Sequence, residues 1–252
     1  MTGTILVTGG TGTLGSHVVP LLLDAEAKVR LLSRKAHEPA AGIEYVTGDL
    51  LKNEGVAAAI DGAETVLHLA GDAKNDDVAT GHLVDAAARA GVRHLVYISV
   101  TAADVVPLGY FRAKANSERI VAESGVPFTT LRAAQFHDLV LTAVRTLTKL
   151  PVVPTPRGVR LQPVDSRDVA AELVELALDG PAGLVPDLVG PKVYELAELV
   201  RGYLHAAEKR RPLLPVRMPG KAGKVYRAGA NMTFDGKFGR RTWEEFLVEQ
   251  LG

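Results

Sequence analysis

A glycine-rich turn between an apolar strand and an apolar helix constrains this chain more than any other feature. Thr4–Thr8 (TILVT) is a short β-branched and aliphatic run. Thr8-Gly9-Gly10-Thr11-Gly12-Thr13-Leu14-Gly15 follows it and opens the helical pattern of Ser16–Ala25. The turn satisfies GxxGxxG through Gly9, Gly12 and Gly15, and GxGxxG through Gly10, Gly12 and Gly15. Glycine reaches positive backbone dihedrals without strain and lacks the Cβ that would hold a diphosphate away from the backbone. A helix starting there offers unpaired N–H groups and the positive end of its dipole. Strand before and helix after is the context in which this spacing means a dinucleotide site. Gly9, Thr11, Gly12, Thr13, Leu14 and Gly15 are therefore the expected diphosphate cradle.

The rest of the first 150 residues keeps the same rhythm. Lys28–Ser33, Ile43–Thr47, Thr65–Leu69, Arg93–Ser99 and Pro127–Leu131 read as strands, and Asn53–Ile60, Asp77–Ala90 and Tyr110–Ser124 as helices. Strands that are apolar throughout, separated by helices, predict a parallel sheet covered on both faces. Right-handed crossovers make it a Rossmann-like, doubly wound α/β sheet. After about residue 150 the rhythm changes. Leu150–Pro163 reads as a proline-rich loop with one short strand at Val159–Leu161, and Ser166–Leu178, Val193–Ala207 and Arg240–Leu251 read as helices. Pro181–Pro191 and Lys209–Phe238 read as irregular. The expectation is one domain over 1–252: a dinucleotide-binding core, 1–150, with a small C-terminal substrate lobe, 151–252, packed on it and closing the crevice at the strand ends.

An acid about 20 residues past the turn, at the end of the second strand, marks an NAD site because it bonds the ribose 2′-hydroxyl. Here Ala27–His37 carries no acid, and Ser33, Arg34 and Lys35 stand where it would be. A guanidinium matches a phosphate with a planar fork of donors, so NADP(H) is the expected cofactor, with NAD(H) also admissible. Asp49 and Leu50, after the third strand, are expected to border the adenine. Tyr110 and Lys114 lie four apart on a predicted helix and so share a face. A nearby ammonium favours phenolate, which would bring a tyrosine into range as a proton donor to a carbonyl oxygen.

Taken together, TGGTGTLG at 8–15, HLAG at 68–71, YIS at 97–99 and YFRAK at 110–114 resemble the short-chain dehydrogenase/reductase superfamily in order and approximate spacing. The paired glycine pattern, Ser-Arg after the second strand and the modest C-terminal part resemble its atypical, NmrA-like branch. The resemblance implies Tyr110 as proton donor and Lys114 as ribose anchor and pKa tuner, with Ser99 as the catalytic serine. It also places Ala70 and Gly71 on the cofactor. Ser99 precedes Tyr110 by only 11 positions, fewer than is usual in the superfamily, and Thr101 is a second candidate. Asn75 is the nearest counterpart of the superfamily's helical asparagine.

Composition narrows the remaining classes. Among 252 residues, 29 basic side chains balance 29 acidic ones, which argues against a nucleic-acid or anionic-membrane surface as main partner. With no cysteine, disulfides, thiolate catalysis and cysteine zinc sites are excluded. A hydrophobic content of 47% excludes a disordered chain, and no apolar run reaches membrane-spanning length. No basic leader precedes the first strand, so a cytoplasmic monomer or homodimer is expected. Gln135, Phe136 and His137, after the sixth strand, are expected to line a pocket for an apolar or aromatic small molecule. No ligand spacing for a metal surrounds His137. The expected activity is hydride transfer from NADPH to an apolar carbonyl, quinone or polycyclic aromatic acceptor. The alternatives are a dinucleotide-binding redox sensor without turnover and an oxygenase-type tailoring enzyme of aromatic polyketides.

Overall fold

The structure is a computed structural model that describes residues 3–71 and 74–252. Its first elements are β1 (Thr4–Thr8), α1 (Gly15–Asp24), β2 (Lys28–Ser33), β3 (Ile43–Thr47), α2 (Val56–Ile60), β4 (Ala63–His68), α3 (Asp76–Ala90), β5 (His94–Val100), α4 (Gly109–Glu123) and β6 (Phe128–Ala133). There follow α5 (His137–Leu147), β7 (Val153–Pro156), β8 (Arg160–Leu161), α6 (Ser166–Leu178), β9 (Gly183–Leu184) and β10 (Leu188–Val189). The chain ends with β11 (Tyr194–Glu195), α7 (Leu196–Ala206), β12 (Leu213–Val216), α8 (Gly220–Ala228), β13 (Lys237–Phe238) and α9 (Trp243–Leu251). It divides into two compact units. One comprises residues 1–99, 112–131 and 169–185, the other 100–111, 132–168 and 186–252.

The first unit is built on strands in the order β3-β2-β1-β4-β5-β6, the Rossmann order, with β9 added to β6. Pairing is parallel, and Val7 on the central strand lies between Leu31 of β2 and Leu67 of β4. Ile5 to Thr8 and all seven residues of β5 are buried, as expected of strands covered on both sides. One face packs Leu6, Val66, Leu95 and Tyr97 against Val56, Ala59 and Ile60 of α2 and Leu83, Val84 and Ala87 of α3. The sequence pattern extends α2 back to Asn53, but Asn53 and Gly55 have φ of 57° and 69°, so helical backbone starts only at Val56.

The second unit has its own core. Val140, Leu141 and Val144 of α5 pack with Tyr194, Leu199 and Tyr203, and with Trp243, Phe246 and Leu247 of α9. Two small ribbons flank it: β7 with β12, parallel, and β8 with β11, antiparallel. Several of these elements depart from the sequence expectation. The loop expected at Leu150–Pro163 contains β7, and the irregular stretches contain β9, β10, β12, α8 and β13. Pro154, Pro156 and Pro215 hide β7 and β12 from a propensity reading, yet a two-stranded ribbon tolerates proline because one side of each strand needs no N–H donor. In α8, Gly223 lowers helix propensity, and a Cβ there would overlap the Met218 carbonyl. The helix expected from Val193 starts at Leu196, where Glu195 and Glu198 form a capping box. Among the described residues no helix is long and apolar enough to cross a membrane.

Candidate functional site

The turn between β1 and α1 is held by its own backbone. Gly9 has φ of 71°, the Gly12 N–H donates to the Gly9 carbonyl at 3.0 Å, and the Ser16 N–H donates to Gly12 at 2.9 Å. The Ser16 hydroxyl closes on the Thr13 carbonyl at 2.8 Å. A Cβ at Gly9 would lie 2.6 Å from the Ala70 nitrogen, and one at Gly15 would overlap the Gly9 carbonyl and Gly10 Cα. Gly12 differs, because the one atom its Cβ would approach is the Gly9 oxygen at 3.3 Å. Leu14 is buried and already helical, with φ −69° and ψ −44°, whereas Thr11 and Thr13 are exposed. The amides of Thr11, Thr13 and Leu14 have no backbone acceptor among the described residues. Open N–H groups at a helix start, beside a glycine without obstruction, fit a diphosphate.

The neighbouring strand ends carry the other residues expected at the cofactor. After β2, Arg34 is exposed, while the Ser33 hydroxyl meets His37 Nε2 at 2.9 Å and accepts the Lys35 N–H at 3.3 Å. After β3, Asp49 accepts the Leu51 N–H at 2.9 Å, a turn-closing bond, and Leu50 is partly buried against the core. After β4, the Leu69 N–H donates to the Thr8 carbonyl at 3.1 Å and the Ala70 N–H to Thr8 Oγ1 at 3.3 Å. Gly71 is exposed, and a Cβ on it would lie 3.6 Å from Lys114 Nζ.

Lys114 itself is 4% exposed, an unusual place for an ammonium. Its three donors are all engaged: Asp76 Oδ2 at 3.2 Å, Tyr97 Oη at 3.2 Å and the Ile98 carbonyl at 3.1 Å. Burial lowers its pKa, and Asp76 opposes that shift. Tyr97, fully buried on β5, donates to Asp76 Oδ2 at 2.8 Å, and burial with the Asp76 charge pushes its phenol far up. Tyr110, four residues before Lys114, is 41% exposed and sits edge-on to Phe111 at 5.6 Å. Ser99 and Thr101 are buried, and their hydroxyls have no partner among the described residues. Asn75 stands at the N-cap of α3.

In the second unit Gln135 has a buried Nε2 without a partner, and Phe136 occupies the N-cap position of α5. His137, the first residue of α5, is fully buried with its ring centroid 5.1 Å from Phe246 and 5.8 Å from Trp243. Its Nδ1 is 3.9 Å from Asp165, too far for a hydrogen bond. Among the described residues no group of His, Asp and Glu is placed to hold a metal. Sequence reasoning missed Asp76, Tyr97 and the buried residues behind them. The available signals were an acid directly after Asn75 and the histidine of HLAG.

The fold and turn define a Rossmann-like dinucleotide-binding protein. Residues 9–180 match the model of the NAD(P)H-binding family, so the chain belongs to that family. It is 29% identical over 235 residues to the NAD(P)H azoreductase of Xenophilus azovorans, covering 90% of this chain and 82% of that one. It is 33% identical over 201 residues to the (4-alkanoyl-5-oxo-2,5-dihydrofuran-3-yl)methyl phosphate reductase of Streptomyces griseus, covering 77% and 70%. Among solved structures, the NADPH complex of an NADPH-dependent quinone oxidoreductase from Escherichia coli superposes with TM-score 0.82 at 21% identity, covering 98% of this chain and 100% of that one. Family and relatives together support an NAD(P)-dependent oxidoreductase.

Proposed function

We propose that this chain is an NADPH-dependent reductase of the atypical, NmrA-like branch of short-chain dehydrogenases, acting on an apolar carbonyl, quinone or polycyclic aromatic acceptor. The open amides of Thr11, Thr13 and Leu14, with no Cβ at Gly12 between them, are the observation that carries it. Thr11, Thr13 and Leu14 hold the diphosphate by backbone N–H groups, Gly12 lets it approach by having no Cβ, and the exposed Arg34 takes the 2′-phosphate with its fork of donors. When bound, the reduced nicotinamide supplies hydride.

Lys114 anchors the nicotinamide ribose from beneath Gly71 by giving it one of the three donors that Asp76, Tyr97 and the Ile98 carbonyl otherwise hold. Because Asp76 offsets its charge at 3.2 Å, its field on a phenol is weak, and its part is positional. Tyr110 delivers the proton to the acceptor oxygen as its carbonyl carbon receives hydride, giving an alcohol or, from a quinone, a hydroquinone. Ser99, whose buried hydroxyl has no partner among the described residues, is the hydroxyl offered for hydrogen bonding to an acceptor oxygen. Gln135 and Phe136 contact the acceptor.

The test follows absorbance at 340 nm with NADPH and a panel of quinones, ketones and azo dyes, for wild type and Tyr110→Phe. A fall of about 10²-fold or more in kcat supports the proton donor, and equal rates remove Tyr110 from the chemistry. Tight NADPH binding without turnover on any acceptor favours a redox sensor instead, a reading consistent with Lys114 having its three donors satisfied inside the protein.

A further inference from the structure

Behind the cofactor turn lies a file of buried polar side chains that the reaction does not use. Ser117 Oγ lies 3.0 Å from Asp76 Oδ2, and a carboxylate only accepts, so the serine proton points to Asp76. Ser117 must then accept from Thr80 Oγ1, at 3.3 Å. With its one proton committed, Thr80 accepts from His68 Nε2, at 3.1 Å. His68 is fully buried, and burial lowers its pKa to about 4, so the ring is neutral and its Nδ1 bare. That nitrogen accepts from Thr8 Oγ1 at 2.7 Å, and Thr8 Oγ1 accepts the Ala70 N–H. Every donor in the file therefore points the same way, from the residue before Gly9 to Asp76. The partners come from β1, β4, α3 and α4, all within the first unit.

We propose that Asp76 is a positioning residue that collects this one-way hydrogen-bond chain and fixes the Lys114 ammonium, charged and aimed, beneath Gly71. Asp76 Oδ2 receives Ser117, Tyr97 and Lys114, and it opens α3, where the helix dipole also favours an anion. Lys114 is faced by Asp76 from α3, by the neutral Tyr97 from β5, by neutral His68 from β4 and by Glu118 on its own helix. Asp76 is the one anion among these in direct contact with it. Without Asp76, burial would act on Lys114 opposed, among the described residues, only by the more distant Glu118, and its proton would leave at lower pH. The inference rests on Lys114 facing the dinucleotide, so the experiments read the two claims separately.

Titrating Lys114 by its 13Cε shift in 13C-lysine-labelled protein, without cofactor, tests Asp76 directly. Asp76→Asn is expected to lower the Lys114 pKa by about 1–3 units, as loss of a neighbouring opposite charge does. An unchanged titration overturns the proposal. The alkaline limb of NADPH affinity should move down by the same amount, a shift that a merely structural residue would not produce. Lys114→Met reports on the anchor alone: wild-type NADPH affinity in that variant refutes the ribose contact and leaves the Asp76 claim to the titration. If Asp76→Asn does not fold, the His68 tautomer in the wild-type protein still decides. Long-range 15N spectra should show Nε2–H with bare Nδ1 between pH 5.5 and 9, about a unit and more above the His68 pKa. An Nδ1–H tautomer breaks the chain and overturns the proposal.

Discussion

The three glycines of the GxxGxxG pattern should fail in different ways when each is changed to alanine. At Gly9, φ is 71° and the new Cβ would meet the Ala70 nitrogen at 2.6 Å and Cα at 2.8 Å, both backbone atoms that cannot step aside. The left-handed conformation costs about 1–2 kcal/mol and the overlap about 1–3 kcal/mol. Gly9→Ala should therefore lose roughly 2–5 kcal/mol, and each kcal/mol lowers Tm by about 2–4 °C in a chain of this size. Gly15→Ala should lose comparably, because overlap with Gly9 and Gly10 outweighs the gain of about 1 kcal/mol in helix propensity. Gly12→Ala meets only the Gly9 oxygen at 3.3 Å, so stability should stay within about 0.5–1 kcal/mol of wild type. Its Cβ instead occupies the approach to the open amides. Loss of one charge-assisted bond, about 1.5–3 kcal/mol, weakens NADPH roughly 10–100-fold. Urea unfolding and fluorescence titration with NADPH, run on all three variants, separate the effects. Gly12→Ala binding NADPH as wild type does, or unfolding as readily as Gly9→Ala, refutes the assignment of this glycine to the cofactor.

On the proposed contact between Arg34 and the 2′-phosphate, Arg34→Ala should weaken NADPH by about tenfold or more while changing NADH less than about twofold; an equal loss for both nucleotides refutes that contact. His68 makes stability pH-dependent. Its folded pKa, about 4, lies below the ordinary value of 6.5, so the unfolded chain binds the extra proton between these values, and stability is lost as pH falls through this window. The loss from pH 7.5 to 5 should be about 2 kcal/mol from this residue, and urea unfolding of His68→Gln should show that contribution removed. His137 has two buried ring nitrogens without hydrogen bonds, packed beside Phe246 and Trp243. His137→Phe should match or exceed wild-type stability by about 1 kcal/mol; a loss of more than about 1 kcal/mol shows that the Asp165 carboxylate at 3.9 Å holds the ring after all.

What the sequence discloses depends on how far apart in the chain the interacting groups lie. The glycine turn is legible because strand, glycines and helix start fall within Thr4–Gly15, and each glycine answers to backbone only a few residues away or to the adjacent strand. The strands β2 and β3 match their expected ranges because an apolar run fixes them locally. The ribbons of the second unit escape, since their proline content argues locally for loop while pairing over some sixty positions decides otherwise. The buried file is harder still. Thr8, His68, Thr80, Tyr97 and Ser117 are unremarkable alone, and only the sheet order brings them together. Lys114 shows the limit most directly. A spacing of four places the Cβ atoms of Tyr110 and Lys114 on one helix face, but it says nothing about where a four-carbon stem carries its charge. That choice belongs to the energetics of burial: an ammonium taken out of water must find an anion and acceptors for three protons. Asp76, Tyr97 and Ile98 supply them, so the direction of Lys114 is set by a carboxylate 38 positions earlier in the chain.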